Sequence, residues 1–209
     1  MSELPRLLVV MALPAESAGV FEEARIPVLY CGVGKVNAAI VLTRELRRYA
    51  HASQPAPLVL NFGSAGSRVH DTGALVACHE FVQRDMDVTG LGFPLGVTPY
   101  DDAPARLSFE PLFTHLPQAL CGSGDSFAMS ACAVECDVVD MEGFALAKAC
   151  RLERAPFACA KYVTDGADHA AADHWRDNVH KAAEAFLELY RAAELPSARG
   201  AARTAASPR

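Results

Sequence analysis

FACAKYVTDGADH, residues 157–169, is apolar from Phe157 to Val163 except at Lys161, and stops at Thr164, Asp165 and Gly166. The first part reads as a strand. It does not alternate polar with apolar, so both of its faces are covered, as in the mostly parallel sheets of α/β proteins. The second part raises a chemical question. A carboxylate where a strand hands over to a loop is either a turn residue or an acid at a site, because open α/β sheets bind ligands beyond the carboxyl ends of their strands.

Working outward, the same pattern recurs. LLVVMAL (7–13), IPVLYCGVG (26–34), APLVLNFGSAG (56–66), GALVACHEFVQ (73–83) and QALCGSGDSF (118–127) read as strands, with NFGSAG as a strand running into a glycine-rich loop. KVNAAIVLTRELRRYA (35–50) has a helical period, with Val36, Ala39, Ile40, Thr43, Leu46 and Ala50 as its apolar face. CDVVDMEGFALAKACRLE (136–153) starts extended and turns helical. HWRDNVHKAAEAFLELYRAAEL (174–195) reads as one long helix. The stretch 84–106 is rich in Gly, Pro and Asp and is expected to be a functional loop. Strands alternating with helices predict an α/β fold of three αβα layers around a mostly parallel or mixed sheet. One domain is expected over 1–195, followed by a flexible basic tail at 196–209.

The bulk numbers exclude several classes. The chain has 209 residues, of which 51% are hydrophobic and 21% charged, and a formal net charge of −6. That length suits one domain with a sizeable core. The negative balance argues against a nucleic-acid surface, which needs a basic face. The first apolar run follows Glu3 and is cut short by Glu16, so it reads as a buried strand and not a signal peptide. No stretch reaches the ~20 apolar residues of a membrane span. The seven cysteines include no CxxC pair and read as small buried hydrophobes. A cytoplasmic protein without a membrane partner is expected.

Several strand ends carry chemistry-bearing residues. Glu16 follows the first, Ser64 and Gly66 end the third, Ser123-Gly124-Asp125 a later one, and Thr164-Asp165 the last; Met141 and Glu142 open a helix. Three carboxylates, Glu16, Glu142 and Asp165, would therefore share one rim. Each also has a plain structural reading: Glu16 as a cap of the PAES turn, Glu142 as a first-turn acid on a helix dipole, Asp165 as a turn residue. GVGKVN misses the third glycine of a dinucleotide fingerprint and the Ser/Thr of a P-loop. In DGADHAAADH, His169 and Asp173 stand four apart, but a capped helix start accounts for the stretch better than a metal.

Taken in order, ALPAES, CGVGKVNAA, NFGSAGS, DMDVTGLGFPLG, SGDSF, VVDMEGFALA and VTDGAD resemble the ordered motifs of the nucleoside phosphorylase/hydrolase superfamily, most closely the 5′-methylthioadenosine/S-adenosylhomocysteine nucleosidases. The resemblance implies roles. Asp165 would protonate N7 of a purine, with Thr164 beside it. Glu16 would activate water, and Ser64 would help hold it. Leu13 and Gly66 would line the site. Met141 and Glu142 would lie under the ribose, with Glu142 accepting from its hydroxyls. Phe127 would stack on the base, the backbone of Ala128 would read its edge, and Trp175 would form a lid. Leu91, Phe93 and Pro99 would reach the 5′ pocket of a neighbour in a homodimer. The family implies no cofactor and no metal, and its ligand is a small purine nucleoside.

The implied chemistry is physically coherent. Breaking an N-glycosidic bond passes through a cationic ribose and a purine that must be neutralised, which is the two-carboxylate logic of glycosidases with a nitrogen leaving group. Phosphorylases of the superfamily usually carry an arginine two residues before GSxG. Here that residue is Asn61, and only Arg84 is left to approach from the long loop, so phosphorolysis is the minor alternative. The chain also departs from the family. The segment FEPLFTHLPQAL (109–120) is short, Leu13 replaces a methionine, Ala128 a larger residue, and Lys161 an arginine. These departures bear on the substrate. Futalosine or another purine nucleoside is an alternative, and a nucleotide-binding Rossmann-type module is the non-enzyme alternative.

Overall fold

The computed structural model describes residues 4–194. In chain order its elements are β1 (Leu7–Met11), α1 (Pro14–Ser17), α2 (Val20–Glu23), β2 (Val28–Tyr30), α3 (Lys35–His51), β3 (Leu58–Ser67) and β4 (Leu75–Gln83). Then follow β5 (Arg106–Ser108), β6 (Gln118–Ser123), β7 (Val138–Asp140), α4 (Gly143–Leu152), β8 (Phe157–Asp165), α5 (Ala171–Asn178) and α6 (Ala183–Glu194). The predicted tail at 196–209 lies outside the described residues. Among those residues no helix is long and apolar enough to cross a membrane.

The unbroken apolar runs are explained by two cores, one on each face of the sheet. Successive strand side chains point to opposite faces. In β1, Leu8 and Val10 join a cluster with Leu42 and Leu46 of α3 and Leu146 of α4. Leu7, Val9 and Met11 join the other cluster, with Phe21 of α2 and Phe186 and Leu187 of α6. Phe62 stacks on Phe186 at 5.2 Å between ring centres. This gives the three expected layers.

The sheet is mixed and has the order β2-β1-β3-β7-β6-β4-β5, with β8 pairing both β3 and β4. The β1/β2, β1/β3, β3/β8, β4/β6 and β6/β7 pairs are parallel. The β3/β7, β4/β5 and β4/β8 pairs are antiparallel. The pairings close β3, β7, β6, β4 and β8 into a ring. The ends of β3, β7 and β8 meet on one side of it: Gly66 pairs with Val139 and with Asp165.

Four local expectations change. GSAG is not a loop, because β3 runs on to Ser67. The buried face of α3 is Ala38, Leu42, Leu46 and Tyr49, while Val36 is 67% and Ile40 53% exposed. Both stripes of that helix carry apolar residues, and only contact with the sheet chooses between them. The long C-terminal helix is two helices. Asn178 donates its side-chain amide to the Thr164 carbonyl at 2.8 Å, which ties the end of α5 to β8 and bends the chain before α6. Finally, Arg106, the last residue of the run expected to be irregular, already belongs to β5, which pairs with β4.

Candidate active site

A cavity of about 290 Å³ opens where β1, β3, β7 and β8 end. Glu16, Ser64, Gly66, Met141, Glu142, Thr164 and Asp165 all line it, as do Leu13, Phe127, Ala128 and Trp175. The three carboxylates predicted to share a rim therefore do so.

Glu16 caps its own turn and also faces the cavity. Its Oε2 accepts from the Ala12 and Leu13 amides at 2.9 and 3.1 Å, which caps its own turn. Its Oε1 reaches across to β3 and accepts from the Ser64 amide and hydroxyl at 2.8 and 3.0 Å. The glycines of GSAG make this packing feasible. A Cβ on Gly63 would lie 2.9 Å from Glu16 Oε1, and one on Gly66 2.6 Å from Asp165 Oδ1. A glycine inside a strand marks such a close approach.

Asp165 ends β8 in a fixed orientation. Thr164 Oγ1 donates to its Oδ2 at 2.7 Å, and the Ala167 amide to its Oδ1 at 3.0 Å. Asp165 is thus a turn residue as well as a cavity residue. Trp175 of α5 donates its indole N–H to Ser64 Oγ at 3.0 Å.

Glu142 stands at the start of α4 and accepts from the Gly34 amide at 2.9 Å. Burial pushes its carboxyl up to about 7, and the charge of Asp140 pushes the same way. Lys161 opposes them. Its Nζ lies 2.9 Å from Asp140 Oδ2, with both side chains almost wholly buried. Burial is the largest influence on Lys161 and works against its charge, but Asp140 and the other acidic groups around it, Glu142 among them, together keep the ammonium well above its usual range. Burial likewise works against Asp140, whose carboxyl is nevertheless held low by Lys161 and by the Ser123 hydroxyl. Ser123 Oγ donates to Asp140 Oδ1 at 2.5 Å and accepts from the Phe144 amide at 2.7 Å, and the Gly143 amide donates to Asp140 Oδ2 at 2.8 Å. Asp140 is the supporting residue that sequence reasoning missed. The available signal was a lysine in the middle of an apolar strand, which needs a buried partner.

Arg84 also lines the cavity, beside Ser126 and Phe127. Its guanidinium donates to the Ser126 hydroxyl and to the Gly124 and Ser126 carbonyls. Asn61 is remote from any ligand role: it donates to the Val10 carbonyl at 3.2 Å within the core. Leu91, Phe93 and Pro99 do not line this cavity. Leu91 is exposed, and Phe93 packs edge-on against the exposed Tyr100. Among the described residues no three His, Cys, Asp or Glu side chains converge to hold a metal. Asp168 instead accepts from the Ala170 amide at 2.9 Å.

Comparison with known proteins gives a consistent result. The family model described as "Phosphorylase superfamily" matches residues 17–193. The chain is 29% identical over 195 residues to a 5′-methylthioadenosine/S-adenosylhomocysteine nucleosidase of Anoxybacillus flavithermus, covering 82% of this chain and 81% of that protein. It is 30% identical over 189 residues to the nucleosidase of the same name from a Marinomonas species, covering 79% of each. Among solved structures, a mutant Helicobacter pylori MTAN with 5′-methylthioadenosine in its active site superposes with a TM-score of 0.76 at 21% identity, covering 92% of this chain and 100% of that one.

Proposed function

The chain belongs to the phosphorylase superfamily, and from that premise we propose that it hydrolyses the N-glycosidic bond of a purine nucleoside of the 5′-methylthioadenosine/S-adenosylhomocysteine type, releasing adenine and a ribose derivative. The observation that carries this reading is the convergence of Glu16, Glu142 and Asp165, with Ser64, on one cavity. In the proposed step the bond between C1′ and the purine nitrogen breaks. Asp165 gives a proton to N7 of the departing base. Water attacks C1′ from the opposite side, and Glu16 takes its proton. Glu142, as a carboxylate, accepts from the ribose hydroxyls and holds them more strongly as the sugar becomes cationic. Phe127 and Ala128 receive the base. No cofactor enters this balance.

Water is favoured over phosphate by the charges at hand. Asn61 offers no cation and Lys161 is paired with Asp140, while Arg84 donates to the 124–126 loop through neutral hydroxyl and carbonyl partners that leave its charge in place. A carboxylate beside the nucleophile also repels an anion. The 5′ end of the pocket is completed, in this proposal, by a second copy through Leu91, Phe93 and Pro99. Exposed Val36, Ile40, Leu91 and Tyr100 support a covered surface. Light scattering of a Leu91→Asp variant checks it: a monomer where the wild type is a dimer is the expected outcome.

The test of the reaction is adenine release from 5′-methylthioadenosine in phosphate-free buffer. Wild-type release with a loss of about 10²–10⁴-fold in Asp165→Asn, on a protein that still folds, is the expected outcome. Near-normal release by that variant, or release only after phosphate is added, overturns the proposal.

A further inference from the structure

Glu16 has no acceptor position left for a water. A carboxylate offers about four lone-pair sites, and the Ala12, Leu13 and Ser64 amides and the Ser64 hydroxyl point at them. The three amides are fixed in the backbone of the first-strand turn and β3. Only the hydroxyl can swing away, by rotation about χ1 or about its C–O bond. Trp175 holds it in place. The indole N–H donates to Ser64 Oγ at 3.0 Å and can only donate, so the hydroxyl proton turns away from the ring and toward Glu16.

We propose that Trp175 latches the place of the nucleophile: its indole N–H keeps the Ser64 hydroxyl on Glu16 in the unliganded protein, and a nucleoside entering the cavity displaces the indole, so that Ser64 swings and a water takes its position on Glu16. Trp175 is a positioning residue, because it acts on Glu16 only through Ser64. It is placed to move. The ring lines the cavity and is only half-buried, and of the eight residues of α5 only Ala171 is buried. The far end of the helix is anchored by Asn178 on Thr164, next to Asp165. The consequence is an order of events: water reaches Glu16 only once a sugar occupies the cavity. This inference rests on the nucleoside reading above.

The chain has one tryptophan, so its emission reports on the latch directly. The probe is a C-nucleoside analogue of 5′-methylthioadenosine, whose carbon–carbon bond does not hydrolyse. Wild-type emission is expected to shift when calorimetry shows the analogue bound. Unliganded Ser64→Ala should already show the shifted emission. Trp175→Phe keeps a ring but loses the N–H, and should bind the analogue about 2–10-fold more tightly, because no hydrogen bond has to break. In the Ser64→Ala background the same change should alter affinity by less than about twofold, since the bond is already gone. Emission that stays constant through calorimetric binding overturns the latch and leaves the nucleoside reading standing. Equal weakening by Trp175→Phe in both backgrounds also overturns it, and makes the ring an ordinary wall of the pocket. No binding of the analogue by wild type overturns the nucleoside reading, and the displacement with it.

Discussion

Glu16 and Glu142 face one cavity at similar depth, 4% and 8% exposed, yet the fold holds them in opposite ways. Glu16 is surrounded by four donors. Glu142 accepts only the Gly34 amide among the described residues, and burial, with the negative Asp140 nearby, pushes it up to about 7. What distinguishes them is the set of donors and charges each side chain meets, not how deep it lies. The region of Glu16 is built of backbone amides that do not titrate. The region of Glu142 is built of charges, so pH and mutation should act on it differently.

The largest effect is expected from Lys161→Met. It leaves Asp140 charged and unpaired beside Glu142, and should cost about 3–5 kcal/mol in urea unfolding at neutral pH. Unchanged stability would mean that Asp140 is not held as an anion, and the contrast between the two regions would fail. Glu142→Gln comes next, with the opposite sign. A carboxyl raised from its usual value near 4.5 to about 7 binds its proton more tightly when folded than when unfolded. Stability therefore falls as pH rises from 4.5 to 7, and the full penalty stands above about 7. The glutamine removes that penalty and can still accept from Gly34. It should stabilise the protein by on the order of 2–3 kcal/mol at pH 8 and by nearly nothing at pH 4.5. A gain independent of pH would sink the assignment of the shift.

Glu16→Gln should destabilise, by about 2 kcal/mol, because either orientation of the amide points its NH₂ at amide or hydroxyl donors. A stabilising result would erase the difference between the two carboxylates. The smallest change is Ser123→Ala. It removes one of the three partners of Asp140 and the acceptor of the Phe144 amide, for about 1 kcal/mol. It should also displace the pH dependence of wild-type stability upward, as Asp140 loses a donor that holds it low.

Much of this is legible in the sequence, and the differences have physical causes. The sequence alone brings Glu16, Ser64, Glu142 and Asp165 to one rim, because in a sheet covered on both faces the polar residues of a site gather toward the carboxyl ends of the strands. The expected face of α3 shares only Leu46 with the buried one, because Val36 and Ile40 are as apolar as Leu42 and periodicity cannot say which stripe meets a sheet. The glycines of GSAG predict a loop because glycine usually marks one. Here Gly63 and Gly66 stay in β3 and make room for Glu16 and Asp165. The break before α6 leaves the apolar period intact, so it leaves no trace in the pattern.

By itself the sequence determined the α/β architecture and the residue types brought to the rim, since these depend on burial period and on the order of motifs along one chain. Only the tertiary structure decided how the carboxylates are held. The two Ser64 donors on Glu16, the indole on Ser64 and the Lys161–Asp140 pair behind Glu142 join residues 48, 111 and 21 positions apart. Hydrogen bonds and buried charges act over a few ångströms of space, and distance along the chain does not record which groups the fold brings that close.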